Sequence, residues 1–593
     1  MKSLLYLNKY LYKYRVRLLS GLVFVALYAW LKSYSVEYVK EGVDWITGNV
    51  SQAHGFEPAA TWHIVKLTIM FALLTIVSGV FLFLTRQTII VTSRLIEFDL
   101  KNEVFEHYQK LDLAFYKRNN TGDLMNRISE DVGQVRNYLG PAIMYTTNTI
   151  CIVTFTLIFM IKINLVYTLY VFSPLPVLYF SVYYISSLIN NRSTVAKQQL
   201  SVIFSKAQES FSGIRVIKSY MLEKTLSKDF EEQCLDYKKK NMVLVNADAL
   251  FQPFLMFLIG VSLVLIIYVG GRQMLQGKVT SGDVLAFVLY VNYLTMPVAS
   301  VGWITSLVQR AAASQTRINE FLHTEPTVKS NNENAVEVEG EIEFSNVTFV
   351  YPDTGIKALN DVSFKVNKEE SLGIVGRTGS GKSTIAQLIC RLYDTTSGII
   401  WVDGKKIRDI SLSSLRSRVG YVPQEVFLFS DSIAANISFS TDGDKDDLRK
   451  RVEQSAKDAA IYDNIMEFKD GFDTLVGERG VTLSGGQKQR VSIARAMLKA
   501  PNILVLDDCL SAVDTNTEQE ILFNLQRYMQ GRTTIIISHR VSSVKMCDKV
   551  LVLENGEVAE YGTHDELMTA RSHYYDMYEL QLAEELQSDK ING

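Results

Sequence analysis

A glycine-rich run of eight residues has the residue types and the spacing needed to hold phosphate groups. The run is Gly376, Arg377, Thr378, Gly379, Ser380, Gly381, Lys382 and Ser383, and it follows an apolar segment, Ser371–Val375, that predicts a strand. Glycines let backbone N–H groups close around phosphate oxygens at the start of a helix, which we expect to begin at Thr384. Lys382 supplies a positive charge and Ser383 a hydroxyl for Mg²⁺. The pattern predicts a nucleotide-binding loop.

Two neighbouring acids at the end of an apolar segment extend this chemistry. The segment Ile503–Leu506 predicts a buried strand, and Asp507 and Asp508 follow it directly. A carboxylate placed here can hold Mg²⁺, directly or through water, and a second can lie beside an attacking water. We therefore predict that Asp507 is a metal ligand and that Asp508 is the general base of nucleotide hydrolysis.

A third motif, Leu483-Ser484-Gly485-Gly486-Gln487-Lys488-Gln489-Arg490, precedes a helical stretch and suits anion binding at a helix N-terminus. Together with the first two motifs, it resembles the nucleotide-binding domain of ATP-binding-cassette (ABC) transporters. The resemblance implies that Ser484, Gly485, Gly486 and Gln487 contact the γ-phosphate of an ATP bound to a second cassette. It further implies that two such domains enclose two nucleotides, so that one chain cannot complete a site.

The remaining elements of that family follow in order along the chain. The resemblance implies that Tyr351 stacks on adenine, that Thr384 belongs to the phosphate site, and that Gln424 reaches the metal. It assigns His539 to a contact with the γ-phosphate. It also assigns Gly477–Gly480 to a contact with cytosolic helix ends and Ser511–Asp514 to the dimer interface.

One position departs from the family pattern, because Asp508 stands where the family usually has Glu. The shorter side chain places its carboxylate about 1.5 Å further from the water, and a misplacement of about 1 Å can cost on the order of a hundredfold in rate. Relatives with this substitution often pair a weak site with a different subunit. A heterodimer is therefore slightly favoured, and a homodimer with two slower sites remains open.

The elements that must carry this site divide the 593 residues into two contrasting halves. Six apolar stretches in the first half are long enough to cross a membrane, which takes about 20 residues each. They lie at roughly 16–36, 66–86, 141–161, 163–187, 250–271 and 284–308. The charged, helix-like connections at roughly 87–138 and 190–248 predict that the membrane helices continue into the cytosol.

Orientation follows from the basic residues. Lys and Arg are concentrated in the N-terminal segment and the two long connections, which predicts that these parts face the cytosol. Arg86 lies at the inner end of the second span, where a charge is costly unless it meets water or a partner. Two interpretations stay open: snorkelling to the cytosolic surface, which is favoured, or facing a cavity and binding anionic groups.

The second half alternates short β-branched runs, such as Asn502–Leu506 and Thr533–Ser538, with helical stretches, which predicts an α/β domain. The predicted fold class is an all-α membrane domain of six helices followed by an α/β phosphate-loop ATPase domain of the ABC type. We expect a membrane domain at 1–310, a linker at 311–337, the nucleotide-binding domain at 338–580 and a polar tail at 581–593.

The chain thus resembles half of an ABC exporter of the multidrug and lipid group. The resemblance implies ATP and Mg²⁺ as cofactors, a second half-transporter as partner, a bacterial cytoplasmic membrane, and ATP-driven export or flipping of amphipathic molecules or lipids. A net charge of −2 gives no support for nucleic-acid binding. An ATP-gated channel or regulator, or a siderophore-type importer, would share this fold, and the substrate is not readable from the sequence.

Overall fold

The computed structural model describes residues 2–51, 58–330, 334–441, 443–477, 483–510 and 515–592. The chain forms two compact units. The helical unit comprises Met1–Gln109 and Gly122–Thr324, and the α/β unit comprises Lys110–Thr121 and Glu325–Gly593. The short segment Lys110–Thr121, which lies between two long helices in the sequence, therefore belongs to the α/β unit.

The helical unit consists of long helices, some of which contain a short π-helical segment. Their bounds are Lys2–Leu7 (3-10), Asn8–Lys13, Arg15–Ser51, Pro58–Thr85, Arg86–Ile90 (π), Val91–Lys110, Thr121–Asn126, Arg127–Asp131 (π), Val132–Asn137, Tyr138–Ala142 (π), Ile143–Ile163, Leu165–Phe172, Pro174–Ser212, Ile214–Ser219, Glu223–Leu275 and Ser281–Leu322.

Five stretches of the described residues are long and apolar enough to cross a membrane: Arg15–Gly48, Trp62–Lys110, Thr121–Ile163, Met256–Leu275 and Ser281–Leu322. Four of them contain a predicted span, and Met256–Leu275 overlaps a fifth, at 250–271. The remaining predicted span, at 163–187, coincides with helices Leu165–Phe172 and Pro174–Ser212, which are separated only by Ser173. The helical membrane domain expected from the sequence is confirmed.

The predicted continuation of the spans is also found, because Trp62–Lys110 alone runs for 49 residues. At about 1.5 Å per residue, such a stretch is much longer than a bilayer is thick. Helix Pro174–Ser212 ends at Gly213, whose N–H donates to the carbonyl of Glu209.

Polar contacts join two membrane helices within the helical unit. Lys40 forms an ion pair of 2.9 Å with Asp283, and Asp44 accepts a 2.7 Å hydrogen bond from the N–H of Gly282. Thr280 and Asp283 form a capping box at the start of helix Ser281–Leu322. These contacts tie the first membrane helix to the beginning of the last one.

The α/β unit contains, among the described residues, two sheets. The first is antiparallel, with the strand order Lys357–Val366, Ile342–Val350, Ser397–Val402 and Lys405–Lys406. The second has the order Glu557–Gly562, Lys549–Glu554, Ser371–Val375, Thr533–Ile537, Ile503–Asp507 and Val419–Val422, and it is parallel except for the hairpin at its first edge.

The α/β unit also contains short and medium-length helices. Their bounds are Leu113–Arg118, Lys382–Ile389, Ile407–Asp409 (3-10), Leu412–Arg418, Ile433–Ser438, Lys445–Asp458, Tyr462–Met466, Gly471–Asp473 (3-10), Gly485–Leu498, Thr515–Met529, Val541–Val544, His564–Ala570 and His573–Asn592. The predicted linker at 311–337 begins within helix Ser281–Leu322, and the predicted tail at 581–593 lies largely in helix His573–Asn592.

Three central strands position the site. Every residue of Ser371–Val375, Ile503–Asp507 and Thr533–Ile537 is buried, as expected for parallel strands covered on both faces. Because these strands are parallel, their carboxyl ends meet at one edge of the sheet, which is the usual ligand-binding edge of such folds. The sequence placed the last two strands correctly to within one residue at each end.

One boundary needs correction. The helix after the phosphate loop begins at Lys382, two residues before the predicted Thr384. Gly381 precedes it with φ 102°, and a Cβ atom there would lie 2.3 Å from the carbonyl oxygen of Ala358. Only glycine fits this position, and the chain enters the helix immediately after it.

Candidate functional site: a phosphate loop at the carboxyl edge of the parallel sheet

The phosphate loop joins strand Ser371–Val375 to helix Lys382–Ile389. Gly379 has φ 84°, and open space surrounds the position that its Cβ would take, so the loop is free of neighbours at this point. The hydroxyl of Ser380 is buried and has no hydrogen-bond partner among the described residues. A buried unpaired donor is costly, and a phosphate oxygen is the kind of acceptor that would satisfy it.

Lys382 is folded back across this loop. Its Nζ donates to the carbonyl oxygens of Gly376 at 2.7 Å and of Arg377 at 2.9 Å, and the side chain is buried. Burial lowers the pKa of Lys382 to about 8, against the opposing effect of Asp508 and Asp507. Two carbonyl oxygens compensate a buried ammonium group only partly, and a phosphate oxygen would be a stronger acceptor for Lys382.

The hydroxyl of Ser383 and the carboxylate of Asp507 are adjacent, although 124 residues separate them in the sequence. Ser383 Oγ donates to Asp507 Oδ1 at 2.8 Å, and the hydroxyl of Tyr421 donates to Asp507 Oδ2 at 3.5 Å. Burial raises the pKa of Asp507, while these two hydrogen bonds oppose the rise. Hydroxyl and carboxylate oxygens are the ligands that Mg²⁺ prefers, so the pair fits a magnesium ion that is otherwise held by water and phosphate.

Asp508 and Gln424 form the next contact along this edge. Gln424 Nε2 donates to Asp508 Oδ2 at 3.2 Å. The backbone of Asp508 has φ 47°, a left-handed conformation that Asp tolerates better than most residues. His539, after strand Thr533–Ile537, is half-buried, and burial together with the charge of Lys382 lowers its pKa. The lowered pKa favours the neutral imidazole.

Tyr351 lies at the side of the loop helix. Its hydroxyl is 2.9 Å from Thr384 Oγ1, and its ring makes an edge contact with Tyr393 at 5.6 Å. The Nζ of Lys117 lies 4.9 Å from the centre of the Tyr351 ring, within cation–π range. The predicted adenine-stacking residue is thus in contact with a residue from the segment that connects the membrane helices.

The helix carrying Lys117, Leu113–Arg118, is anchored by its neighbours. Asp112 accepts a hydrogen bond from the N–H of Phe115 at 3.1 Å and another from the N–H of Thr327 at 2.6 Å. Burial opposes ionisation of Asp112, but the hydrogen bonds from Thr327 and Phe115 outweigh it and lower its pKa. Ala114 is buried in the core beneath the antiparallel sheet. The connection between two membrane helices is therefore built into the α/β unit.

Ser484 begins the helix Gly485–Leu498, as the sequence predicted. Its Oγ accepts from the N–H of Gln487 at 3.2 Å, and its own N–H donates to Gln487 Oε1 at 2.9 Å, which makes a capping box. Ser484 and Gly485 are exposed. In the described part of the chain, these hydrogen bonds connect Ser484 with Gln487 and not with the phosphate loop.

The structure thus brings Lys382, Ser383, Gln424, Asp507 and Asp508 together. It leaves Ser484–Gln487 as a separate, outward-facing element. Most of Gly477–Gly480 and all of Ser511–Asp514 lie outside the described residues.

Sequence reasoning missed Tyr421 and the contact made by Lys117. The helix that carries Lys117 could have been found from the sequence, because the helix-capping Asp112 is followed by the short apolar cluster Leu113–Phe115 within an otherwise charged connection.

Comparison with known proteins agrees with this arrangement. Residues 18–298 match the family model of the ABC transporter transmembrane region, and residues 359–511 match that of the ABC transporter domain. A probable multidrug resistance ABC transporter ATP-binding/permease protein, YheI of Bacillus subtilis, is 36% identical over 82% of this chain and 83% of its own length. An ATP-dependent lipid A-core flippase of Syntrophus aciditrophicus is 32% identical over 83% of this chain and 82% of its own length.

A solved structure shares the fold along the whole chain. The structure of a bacterial Atm1-family ABC exporter with ATP bound gives a TM-score of 0.78 at 26% identity, covering 97% of this chain and 98% of that one. Fold and site together define a multi-pass membrane protein with a phosphate-loop ATPase domain. The chain belongs to the ABC transporter family: it is an ATP-binding exporter half, its ATPase is coupled to transport, and its fold implies a dimer.

The geometry of Lys382 gives a direct prediction. Lys382→Ala removes the loop's ammonium group, so ATP no longer binds at this site. Because two cassettes that enclose two nucleotides can close only when both are bound, we expect ATP turnover to be abolished even if the second site is the faster one. Purified protein is assayed for ATPase activity, with the exposed Lys405→Ala as the matched control, which should retain full activity. Normal turnover in Lys382→Ala would show that the phosphate site has been assigned wrongly.

Proposed function

We propose that this chain exports or flips amphipathic small molecules or lipids across the cytoplasmic membrane, driven by Mg²⁺-ATP hydrolysis in a dimer. Its N-terminus and its nucleotide-binding domain, at 338–580, face the cytosol. The carrying observation is the helix Leu113–Arg118, which joins two membrane helices and lies against the nucleotide-binding residue Tyr351. The names of the relatives, a multidrug resistance transporter and a lipid A-core flippase, support the amphipathic class.

Each residue of the site then has a role in this proposal. The backbone of Gly376–Gly381, with Arg377, Thr378 and Ser380, surrounds the phosphates, and Lys382 moves from its carbonyl partners to the β and γ phosphates. Thr384 holds the hydroxyl of Tyr351, whose ring stacks on adenine. His539 donates a hydrogen bond to the γ-phosphate.

The metal would be held by Ser383 and Asp507, with the amide oxygen of Gln424 completing the set. When bound, Mg²⁺ neutralises charge on the β and γ phosphates as the terminal bond breaks. Asp508 takes the proton of the attacking water. Gln424 donates a hydrogen bond from its amide nitrogen to Asp508, so a displacement of Asp508 would also displace Gln424. Gln424 is exposed and is therefore accessible to a neighbouring element.

Transport follows from joining the two cassettes. Ser484, Gly485, Gly486 and Gln487 of this chain would close over the γ-phosphate bound to the second cassette, because the start of their helix, at Ser484 and Gly485, is exposed. Binding draws the cassettes together, and hydrolysis releases them. The helix Leu113–Arg118 moves with its cassette, since Ala114 is buried in that unit, and passes the motion to the membrane helices.

A flux measurement tests this function. The chain, purified with any native partner, is reconstituted in vesicles with its ATPase domain facing outward, and a fluorescent amphiphile is added to the external solution. We expect uptake with Mg²⁺-ATP, and none after chelation of Mg²⁺, with a non-hydrolysable ATP analogue, or in Lys382→Ala. Flux supported by the analogue alone would indicate a channel. Flux in the opposite direction would indicate an importer, and either result would overturn the proposal.

Asp508 supports a heterodimer within this function. General-base help is typically worth about 10²–10⁴-fold, and the shorter Asp508 carboxylate weakens it. The site containing Lys382, Asp507 and Asp508 would therefore hold ATP, while the site that Ser484 closes, with the partner's phosphate loop and catalytic base, would turn over. One strong and one weak site is the arrangement that this substitution favours.

Two substitutions test the heterodimer. Asp508→Asn should change steady-state ATP turnover by about twofold or less, because general-base help at its site is already weak. Ser484→Arg should abolish turnover, because it blocks the γ-phosphate contact of the strong site, and Ser440→Arg on the exposed surface is its control. A chain that dimerises alone with full substrate-stimulated turnover, which Asp508→Asn then abolishes, would establish a homodimer with Asp508 as a competent base.

A further inference from the structure

A cavity of about 420 Å³ opens on the helical unit. Arg86, Gln87 and Ile90 line one side, with Val91 next to them, and Pro141, Met144 and Tyr145 line the other. The volume is within the range of small-molecule sites, roughly 300–1,000 Å³. We call this cavity the Arg86 pocket.

Both walls of the Arg86 pocket contain π-helical segments. Arg86–Ile90 interrupts the helix that runs to Lys110, and Tyr138–Ala142 interrupts the helix that runs to Ile163. A π-segment inserts a residue into a helical turn, which changes the direction of the side chains beside it, and such segments are frequent at functional sites. Here the altered turns carry Arg86 and Gln87 on one wall and Pro141 on the other.

Close backbone approaches hold these segments in place. A Cβ atom on Gly140 would lie 2.5 Å from Ser93 Oγ, so the two walls meet at a glycine. A Cβ atom on Gly21 would lie 2.5 Å from a side-chain carbon of Ile89, so the first membrane helix packs equally closely behind Arg86–Ile90. Ile89 and Met144 are buried together in this core. The pocket is thus formed by packed helices and not by loops.

Arg86 is the charged residue of the lining, and the lining contains no acidic residue. The Arg86 side chain is exposed, and no ion pair or hydrogen bond engages it within the described residues. Other basic residues of the region are compensated: Arg94, Lys101 and Arg136 all pair with Glu97. An arginine without an acidic partner near a bilayer is costly, and its planar donors suit phosphate, sulfate or carboxylate groups.

The opposite wall is apolar and aromatic. Tyr145 makes an edge contact of 5.4 Å with Trp303, which comes from the last membrane helix, and Met144 and Pro141 complete this side. A guanidinium group facing an apolar wall suits a molecule that has an anionic head and a hydrocarbon part. A soluble anion would leave the apolar wall unused.

The depth of Arg86 matches the position of lipid headgroups. The sequence between Lys66 and Arg86 contains no charged residue. This interval of about 20 residues corresponds to about 30 Å of helix, close to the thickness of the hydrocarbon core. In the proposed orientation, Arg86 lies at the cytosolic surface of the membrane.

We propose that the Arg86 pocket binds the anionic headgroup of an amphipathic molecule entering from the cytosolic leaflet, and so gives this exporter a preference for anionic over neutral amphiphiles. The assignment rests on the proposed export function and adds the substrate class and the recognising residue. Arg86 pairs with the headgroup, Gln87 adds an amide donor, and Tyr145 with Trp303 contacts the hydrocarbon part.

The test compares two amphiphiles with the same tail on full-length protein, with any native partner, in phosphatidylcholine nanodiscs. Stimulation of ATP turnover is titrated with dodecyl phosphate, with dodecyl maltoside and with inorganic phosphate. Arg86→Gln should raise the half-maximal concentration of dodecyl phosphate about tenfold, since one charge-assisted contact is lost, and should shift that of dodecyl maltoside less than about twofold. Arg86→Lys should be intermediate.

Two further variants keep the result interpretable. Arg94→Gln changes a neighbouring arginine that is paired with Glu97 outside the pocket, and should leave both titrations unchanged. Gly140→Ala crowds Ser93, where the two walls meet, without removing a charge, and should weaken the response to dodecyl phosphate if Arg86→Gln does not fold.

Equal shifts for both amphiphiles in Arg86→Gln, or no shift for dodecyl phosphate, would overturn the assignment. Inorganic phosphate acting at the same concentration as dodecyl phosphate would show a site for free anions instead. A wild-type response to dodecyl maltoside alone would reject the pocket and leave the export function standing. A wild-type protein that hydrolyses ATP and responds to neither amphiphile would reject both.

Discussion

The burial of three ionisable side chains at the carboxyl edge of the parallel sheet is the constraint on which the nucleotide site depends. Lys382, Asp507 and Asp508 are 5%, 2% and 8% exposed. Burying charges is expensive unless they are compensated, and the described hydrogen bonds compensate them only in part. In the proposed function, a bound Mg²⁺ and a nucleotide phosphate would supply further opposite charges at this edge.

A second feature is the exposed start of helix Gly485–Leu498. The capping box of Ser484 and Gln487 satisfies donors at the first turn of its helix, but Ser484 and Gly485 remain exposed. An exposed helix N-terminus in a domain whose phosphate loop lies elsewhere suits a ligand bound to another molecule. In the proposed function, the second subunit of the dimer would supply that molecule.

The sequence was informative where chemistry imposes strict spacing. The loop from Gly376 to Ser383 permits few alternatives, and the strand before it and the acids Asp507 and Asp508 were predicted together with it. Hydropathy identified the membrane helices because a soluble domain rarely contains roughly 20 apolar residues in succession.

Other features could not be read from the sequence. Lys117, on a six-residue helix, contacts Tyr351, which lies far away in the sequence. A local sequence pattern cannot predict a contact between residues that are so far apart in the chain. The π-segment at Arg86–Ile90 was equally invisible, because no residue pattern in the helix marks it; the close approaches of Gly21 to Ile89 and of Gly140 to Ile90 appear only in the structure. For Arg86 the sequence left snorkelling, which it favoured, and a cavity role open; which residues line the Arg86 pocket is visible only from packing.

The central claim is that Ser484 of this chain contacts the γ-phosphate of ATP bound to a second cassette. Orthovanadate trapped with Mg²⁺-ADP occupies the γ-phosphate position, and ultraviolet light then cleaves the backbone that touches it. Mass spectrometry of the irradiated dimer should show cleavage of this chain at Ser484 and of the second subunit within its phosphate loop. Cleavage confined to phosphate loops, with Ser484 intact in a fully trapped dimer, would contradict this claim.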